Sequence, residues 1–166
     1  MTGDVHIRPA VPADVPAITA IYNDAILTTT ATFDTTPKSI EEQEAWFARH
    51  GGRHPVLGAE SDGVVVGWAS LTEWSDRCAY ADTAEVSVYV RADRRGQGIG
   101  RRLMEALVDA GRRAGLHTLI ARIADGNAAS VRLHEALGFE HIGVMREVGR
   151  KFGRLLDVHM MQLVYP

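Results

Sequence analysis

Strands and helices alternate along this chain, and the sequence predicts one α/β (α+β) domain over residues 1–166. Three observations carry that reading. The length of 166 residues fits a single domain with a full core. Hydrophobic residues make up 46% of the chain and charged residues 23%, the balance of an ordinary globular protein. No repeat, low-complexity tract or linker interrupts the succession of period-two and period-3.6 apolar patterns.

Residues 6–8 read as a short first strand. Asp14 stands where a helix cap is wanted, and Val15, Ile18, Ile21, Tyr22 and Ala25 follow at helical spacing. The Thr-rich run 28–33 opposes continuation of that helix. Ser39, with Glu42 three residues on, forms a capping box for a second helix; Trp46 and Phe47 give it an apolar face, and Gly51 and Gly52 end it. Residues 56–60 and 64–72 are strands joined by the turn Ser61-Asp62-Gly63. In the fourth strand, 85–91, Val86, Val88 and Val90 alternate with Glu85, Ser87 and Tyr89. After the turn 94–100 a third helix starts near Ile99, with Leu103, Leu107 and Ala110 on its buried stripe, and closes near Gly115. Residues 118–124 are a fifth strand, 127–137 a short helix stopped by Gly138, and 139–146 with 155–164 a closing hairpin. The total is about seven strands and about four helices.

Composition excludes several function classes. No apolar run approaches the ~20 residues that span a bilayer, so no membrane partner is expected. Residues 1–5 lack the cationic-then-apolar pattern of a secretory signal, and Cys78 is the single cysteine, which together predict a cytoplasmic protein without an internal disulfide. A net charge of −3 does not favour a nucleic-acid partner. No metal is expected: His50 and His54 are four apart, but Gly51, Gly52 and Pro55 spoil a helical ligand pair, and His117, His141 and His159 are scattered. Charge distribution says more than its sum. Of 18 basic residues 16 are Arg, and Arg91, Arg94, Arg95, Arg101 and Arg102 fall within twelve positions. That density in an acidic chain points to a compact anionic ligand.

The order strand, glycine turn, helix, strand makes this ligand more specific. The first turn of a helix leaves backbone N–H groups without partners and carries partial positive charge, and glycines let a ligand approach the backbone. Together these form a phosphate site. A P-loop would need Gly-Lys-Ser/Thr, whereas Gly100 is followed by Arg101. A dinucleotide fingerprint would need Gly-x-Gly-x-x-Gly, whereas Gly96, Gly98 and Gly100 are spaced by two. The residues alone leave the anion unnamed, and a glycine turn without a ligand remains the other reading.

Arg95-x-x-Gly98-x-Gly100 resembles the Arg/Gln-x-x-Gly-x-Gly/Ala signature of the GCN5-related N-acetyltransferases (GNAT). The preceding Val88-Tyr89-Val90 and the later stretch from Asn127 to Gly138-Phe139 extend the likeness over essentially the whole chain. It is closest to the phosphinothricin and methionine sulfoximine acetyltransferases, on Ile21-Tyr22-Asn23, the Thr-rich run ending at Phe33, Arg77-x-x-Tyr80, Glu85, the segment 130–138, Gly149-x-Lys151-x-Gly153 and Asp157-Val158. The resemblance implies the GNAT fold, with a mixed, mostly antiparallel sheet. It implies acetyl-CoA as cosubstrate and a small-molecule amine as acceptor. The backbone of Val88 and Val90 would pair with the pantetheine arm, and the amides of Arg95, Gly96, Gln97, Gly98, Ile99 and Gly100 would hold the pyrophosphate. Asn127 and Ser130 would hold the cofactor from the next helix, and a backbone N–H near Val88 or Tyr89 would serve the developing oxyanion.

Acetyl transfer needs a group to take the ammonium proton and a fate for the thiolate. The resemblance makes Glu85 the candidate base and His134, seven residues after Asn127, the candidate acid. It assigns the acceptor to Phe33, Arg77, Tyr80, Glu85 and Lys151, Arg77 being suited to a carboxylate or phosphinate. It also implies a homodimer, in which the hairpin at 149–157 would approach a neighbouring subunit and Lys151 would reach its active site; the alternative is an ordinary exposed turn. The expected reaction is acetylation of the α-amino group of a phosphinothricin-, methionine sulfoximine- or methionine sulfone-like amino acid. The alternatives are a protein N-terminus, an aminoglycoside or a polyamine as acceptor, or an acetyl-CoA-binding module without catalysis.

Overall fold

The expected elements form in the expected order. The computed structural model of the protein describes residues 3–166, so the domain expected over 1–166 is seen from Gly3 onward. The strands are β1 (Val5–Pro9), β2 (Val56–Ser61), β3 (Val64–Glu73), β4 (Thr83–Val90), β5 (Thr118–Ala124), β6 (Glu140–Lys151) and β7 (Arg154–Val164). The helices are α1 (Val15–Thr28), α2 (Ile40–Ala48), α3 (Ile99–Arg113) and α4 (Ala128–Ala136). None of the described helices is long and apolar enough to cross a membrane.

Local chemistry accounts for most boundaries. The capping box at α2 is complete: Glu42 N–H donates to Ser39 Oγ at 3.1 Å, and Ser39 N–H to Glu42 Oε2 at 2.7 Å. Asn127 caps α4 by accepting from Ser130 N–H at 3.3 Å. The closing hairpin departs from expectation, because β6 runs on to Lys151 instead of ending near residue 146. Register shifts between His141 and Gly143 and between Met145 and Gly149, with Glu147 at φ 54°, break its period-two pattern. A bulged strand of this kind does not read as a strand in sequence.

The expected cap at Asp14 is also different. Its carboxylate makes no capping bond to α1. It accepts from Val11 N–H at 2.8 Å and from Arg8 Nη1 and Nη2 at 2.7 and 3.0 Å, while Arg8 Nε reaches Glu60 at 2.6 Å. The Arg8 hydrogen bonds hold the Asp14 carboxyl below the usual carboxylate range, against the opposing effect of burial. Asp14→Asn is therefore expected to lower stability by about 2 kcal/mol at pH 7. The folded pKa lies below the unfolded one, so this stabilisation is complete above the unfolded value, near pH 4, and fades as pH falls through the folded one. Urea unfolding of both proteins at pH 7 and pH 3 reads the effect; an equal gap at both pH values would contradict it.

The sheet order is β1-β2-β3-β4-β5-β7-β6, and β4–β5 is its parallel pair among antiparallel neighbours. On one face Leu103, Met104 and Leu107 of α3 pack with Leu71, Val86, Leu119 and Met161, with Leu133 of α4 and Leu137 just after it at the edge. On the other, Ile18 and Ile21 of α1 and Trp46 of α2 pack around Trp68. The sheet splits at its parallel pair. Thr83, Ala84 and Glu85 pair with Thr118, Leu119 and Ile120, and beyond Glu85 the two strands separate.

Candidate active site

The fork between β4 and β5 opens into a cleft of about 570 Å³ that brings together Phe33, Glu85, Val88, Asn127, Ser130 and His134. A second cleft of about 500 Å³, on the α1–α2 side, shares Tyr22, Asp34, Ser87 and Tyr89 with it. The site is thus open on both faces of the sheet.

Beyond the fork β4 has one unpaired edge, and its register tells which groups lie along it. Arg91 N–H donates to Val66 O, and the β3–β4 register runs in step from Val90 opposite Gly67 to Glu85 opposite Thr72. Antiparallel pairing alternates, so the odd residues Glu85, Ser87 and Tyr89 turn their N–H and C=O toward β3. The even residues Val86, Val88 and Val90 turn theirs toward the opening. Arg95 Nε donates to Val90 O at 3.2 Å from that side. Of the two backbone donors considered for the oxyanion, Val88 N–H faces the cleft and Tyr89 N–H faces β3. Side chains alternate too: Val86, Val88 and Val90 face α3, whereas Tyr89 packs toward α1 and α2, the face it shares with Glu85.

The glycine turn leads into α3 with its backbone uncovered. Gly98 is the N-cap at φ 80°, without a side-chain cap, so the first N–H groups of α3 have no side chain over them. Gly96 has φ 74°, and a Cβ at either glycine would meet nothing within 4 Å. At Gly100 a Cβ would touch Val90 and Leu133 at 3.7 and 3.9 Å, ordinary packing distances. The arginines are largely occupied: Arg91 with Asp93 at 2.6 Å, Arg94 with Gln97 at 3.1 Å and Ser61 at 3.2 Å, and Arg101 with Glu105 at 2.9 Å. An uncovered helix N-terminus joined to an unpaired strand edge fits a ligand with a pyrophosphate at one end and an amide-bearing arm, as acetyl-CoA has.

Glu85 is held by a residue that sequence reasoning missed. Arg122 Nη2 lies 2.7 Å from Oε2 and 2.9 Å from Oε1, and Nε lies 3.1 Å from Oε1. Glu85 is opposite Ile120, so Arg122 is the next same-face residue of β5 where the strands part. Its period-two position was visible in the sequence; the β4–β5 register was not. His134 is buried against Phe139, edge to face with ring centroids 5.0 Å apart. Its Nδ1–H donates to Ser130 O at 2.7 Å, and burial pushes its pKa down, partly offset by that hydrogen bond.

A second missed group lies at the junction of the clefts. The Tyr22 hydroxyl donates to Asp34 and lies 3.0 Å from Thr32 Oγ1. Phe33 projects between them into the cleft and lies so close to Gly149 of β6 that any side chain at 149 would collide with its ring. Lys151 itself does not sit on an exposed turn. It is 5% exposed, and its Nζ donates to Thr32 O of the same chain at 2.8 Å. The extension of β6 past its bulges carries Lys151 inward, and burial lowers its pKa against the attraction of Asp34. Arg77 and Tyr80 also depart from expectation. They lie on the exposed 3-10 turn before β4 and do not line the cleft. Among the described residues no group of three or more His, Cys, Asp or Glu side chains is placed to hold a metal.

Comparison with known proteins agrees with this geometry. A sequence model of the acetyltransferase (GNAT) family matches residues 18–139. An L-methionine sulfoximine/L-methionine sulfone acetyltransferase of Pseudomonas aeruginosa is 48% identical over 161 residues, covering 95% of this chain and 92% of that protein. A phosphinothricin N-acetyltransferase of Streptomyces coelicolor is 41% identical over 162 residues, covering 95% and 94%. The solved structure of a GNAT superfamily phosphinothricin acetyltransferase from Sinorhizobium meliloti, in complex with acetyl-CoA, superposes with a TM-score of 0.94 at 37% identity, covering 99% of this chain and 89% of that one. With the forked sheet, the uncovered turn and these likenesses in agreement along its length, the chain belongs to the acetyltransferase (GNAT) family.

Proposed function

We propose that the protein transfers the acetyl group of acetyl-CoA to the α-amino group of a small amino-acid-like acceptor of the phosphinothricin, methionine sulfoximine or methionine sulfone type. The observation that carries this reading is Glu85 at the fork, beside the unpaired edge of β4 and lining the cleft that opens there. Acetyl-CoA supplies an acyl carbon whose C–S bond breaks as the C–N bond forms. The backbone of Val88 and Val90 holds the pantetheine arm as an added strand would, and the amides of residues 95–100 hold the pyrophosphate. Asn127 and Ser130 border the arm from α4. The acceptor enters from the α1–α2 face, the side to which Glu85 and Tyr89 point, and Phe33 forms an apolar wall.

The acceptor's ammonium gives one proton to Glu85, directly or through water, and the freed lone pair attacks the acyl carbon. Val88 N–H stabilises the oxygen on which charge develops. As the amide forms, the nitrogen releases its second proton, which balances the thiolate. Donation by His134 requires a charged ring, because Nδ1–H is already committed to Ser130 and the neutral ring has an unprotonated Nε2. Burial opposes that charged form, so His134 donates only in the acidic part of the working range. Lys151 orders the Thr32–Asp34 rim.

We also propose a cytoplasmic homodimer. Ile142, Val144, Val148, Phe152 and Leu155 expose an apolar surface along the closing hairpin, which suits a second copy of the chain. Arg77 and Tyr80, exposed outside the cleft, would then meet an acceptor only where subunits adjoin. Free-thiol release with a panel of amines tests the acceptor class. Turnover is expected with methionine sulfoximine, methionine sulfone and phosphinothricin. Turnover on a peptide N-terminus, an aminoglycoside or a polyamine with none on these would reverse the reading, and binding of acetyl-CoA without thiol release would leave only a binding module.

A further inference from the structure

We infer that Arg122 selects acceptors carrying an α-carboxylate, by exchanging Glu85 for that carboxylate when the acceptor binds. The inference rests on the proposed reaction and adds what chooses its substrate. Arg122 already engages both oxygens of Glu85: Oε1 accepts hydrogen bonds from Nε and Nη2 at 3.1 and 2.9 Å, and Oε2 lies 2.7 Å from Nη2 in the ion pair. Their lone pairs are the ones an ammonium N–H or a bridging water must reach. An amine with no anionic group therefore meets a base that is engaged.

An α-amino acid carries the means to release it. Its nitrogen and its carboxylate oxygens are roughly 3 Å apart, as bond lengths require. An ammonium seated at Glu85 thus puts the carboxylate within the span that Arg122 already covers. The guanidinium has five N–H donors in a planar fork that matches a carboxylate, and Nη1 has no partner among the described residues. The side chain is free to turn: it is 51% exposed, and beyond Glu85 its recorded neighbour is the Trp74 ring, 5.7 Å from the guanidinium carbon. Of the other cations nearby, Lys38 and Arg49 line the α1–α2 cleft, away from the fork, with Lys38 3.9 Å from Asp34, and Lys151 is committed to Thr32 O. The exchange makes and breaks no covalent bond. One charge-assisted pair replaces another, and Glu85 is left free to take the ammonium proton.

The test compares the wild type with Arg122→Gln and Arg122→Lys, using methionine sulfone, its carboxamide and the amine that lacks the carboxyl carbon. The wild type is expected to favour the carboxylate acceptor in kcat/KM by about 10–100-fold, the scale of one bidentate charge-assisted contact. Arg122→Gln is expected to erase that preference, and to raise the rate with the carboxamide above wild type because Glu85 is no longer held. Arg122→Lys should recover part of the preference. Calorimetry gives a readout independent of turnover: methionine sulfone affinity should fall in Arg122→Gln while acetyl-CoA affinity stays in place. Loss of rate by one factor on all three acceptors, or unchanged methionine sulfone affinity, would overturn the inference. Failure of the functional reading looks different, as no thiol release by the wild type with any of the three.

Discussion

Glu85→Gln is expected to lower kcat by about 10²–10⁴-fold, the usual contribution of a positioned acid or base. The amide keeps the shape of the side chain and cannot accept a proton. Acetyl-CoA affinity should hold, because the pyrophosphate turn and the edge formed by Val88 and Val90 do not involve the Glu85 side chain. The measurement is thiol release at saturating substrates beside acetyl-CoA binding by calorimetry. Unchanged turnover would remove Glu85 as the base. A matching loss of acetyl-CoA affinity would mean that the substitution had disturbed the fork, where Glu85 makes the last β4–β5 pair.

Gly98→Val is expected to raise the KM for acetyl-CoA by roughly 10–100-fold, with kcat at saturation changing little. Gly98 sits at φ 80°, where an L side chain costs about 1–2 kcal/mol and a β-branched one is worse. No protein atom lies within 4 Å of the Cβ that would be added, so the side chain would fill the space over the N-terminus of α3. Hydrogen bonds to a charged ligand contribute about 1.5–3 kcal/mol each, and losing one gives a factor of this size at about 1.4 kcal/mol per decade. Gly100→Ala is the comparison, because its Cβ would make ordinary contacts with Val90 and Leu133 and should leave the KM close to wild type. Equal effects of the two substitutions would contradict an anion held at Gly98.

The elements that the sequence made legible are those with local causes. The Ser39–Glu42 box starts α2, Gly138 stops α4, and the strand at 118–124 has the bounds read from its pattern. The glycine turn was legible because its positive-φ glycines and the helix N-terminus that follows them are sequence-local. The end of β6 was not, because two bulges shift the alternation on which strand reading depends. Lys151 was misplaced for the same reason: once the strand continues, its side chain turns inward to Thr32.

What the sequence by itself determined is the order of the elements, the family resemblance and the glycine turn ahead of α3. Glu85 as a candidate followed from that resemblance. What only the tertiary structure decided is what each candidate touches. Arg122 is 37 residues from Glu85 in the chain, and the two meet because the parallel pairing of β4 and β5 stops after Glu85 opposite Ile120. The same register chose Val88 N–H over Tyr89 N–H for the cleft, and left Arg77 and Tyr80 on an exposed turn outside it. Local backbone preference acts over a few residues and can be read along the chain. Strand register and the point at which two strands part depend on packing across the whole sheet, and these set the surroundings of the proposed base.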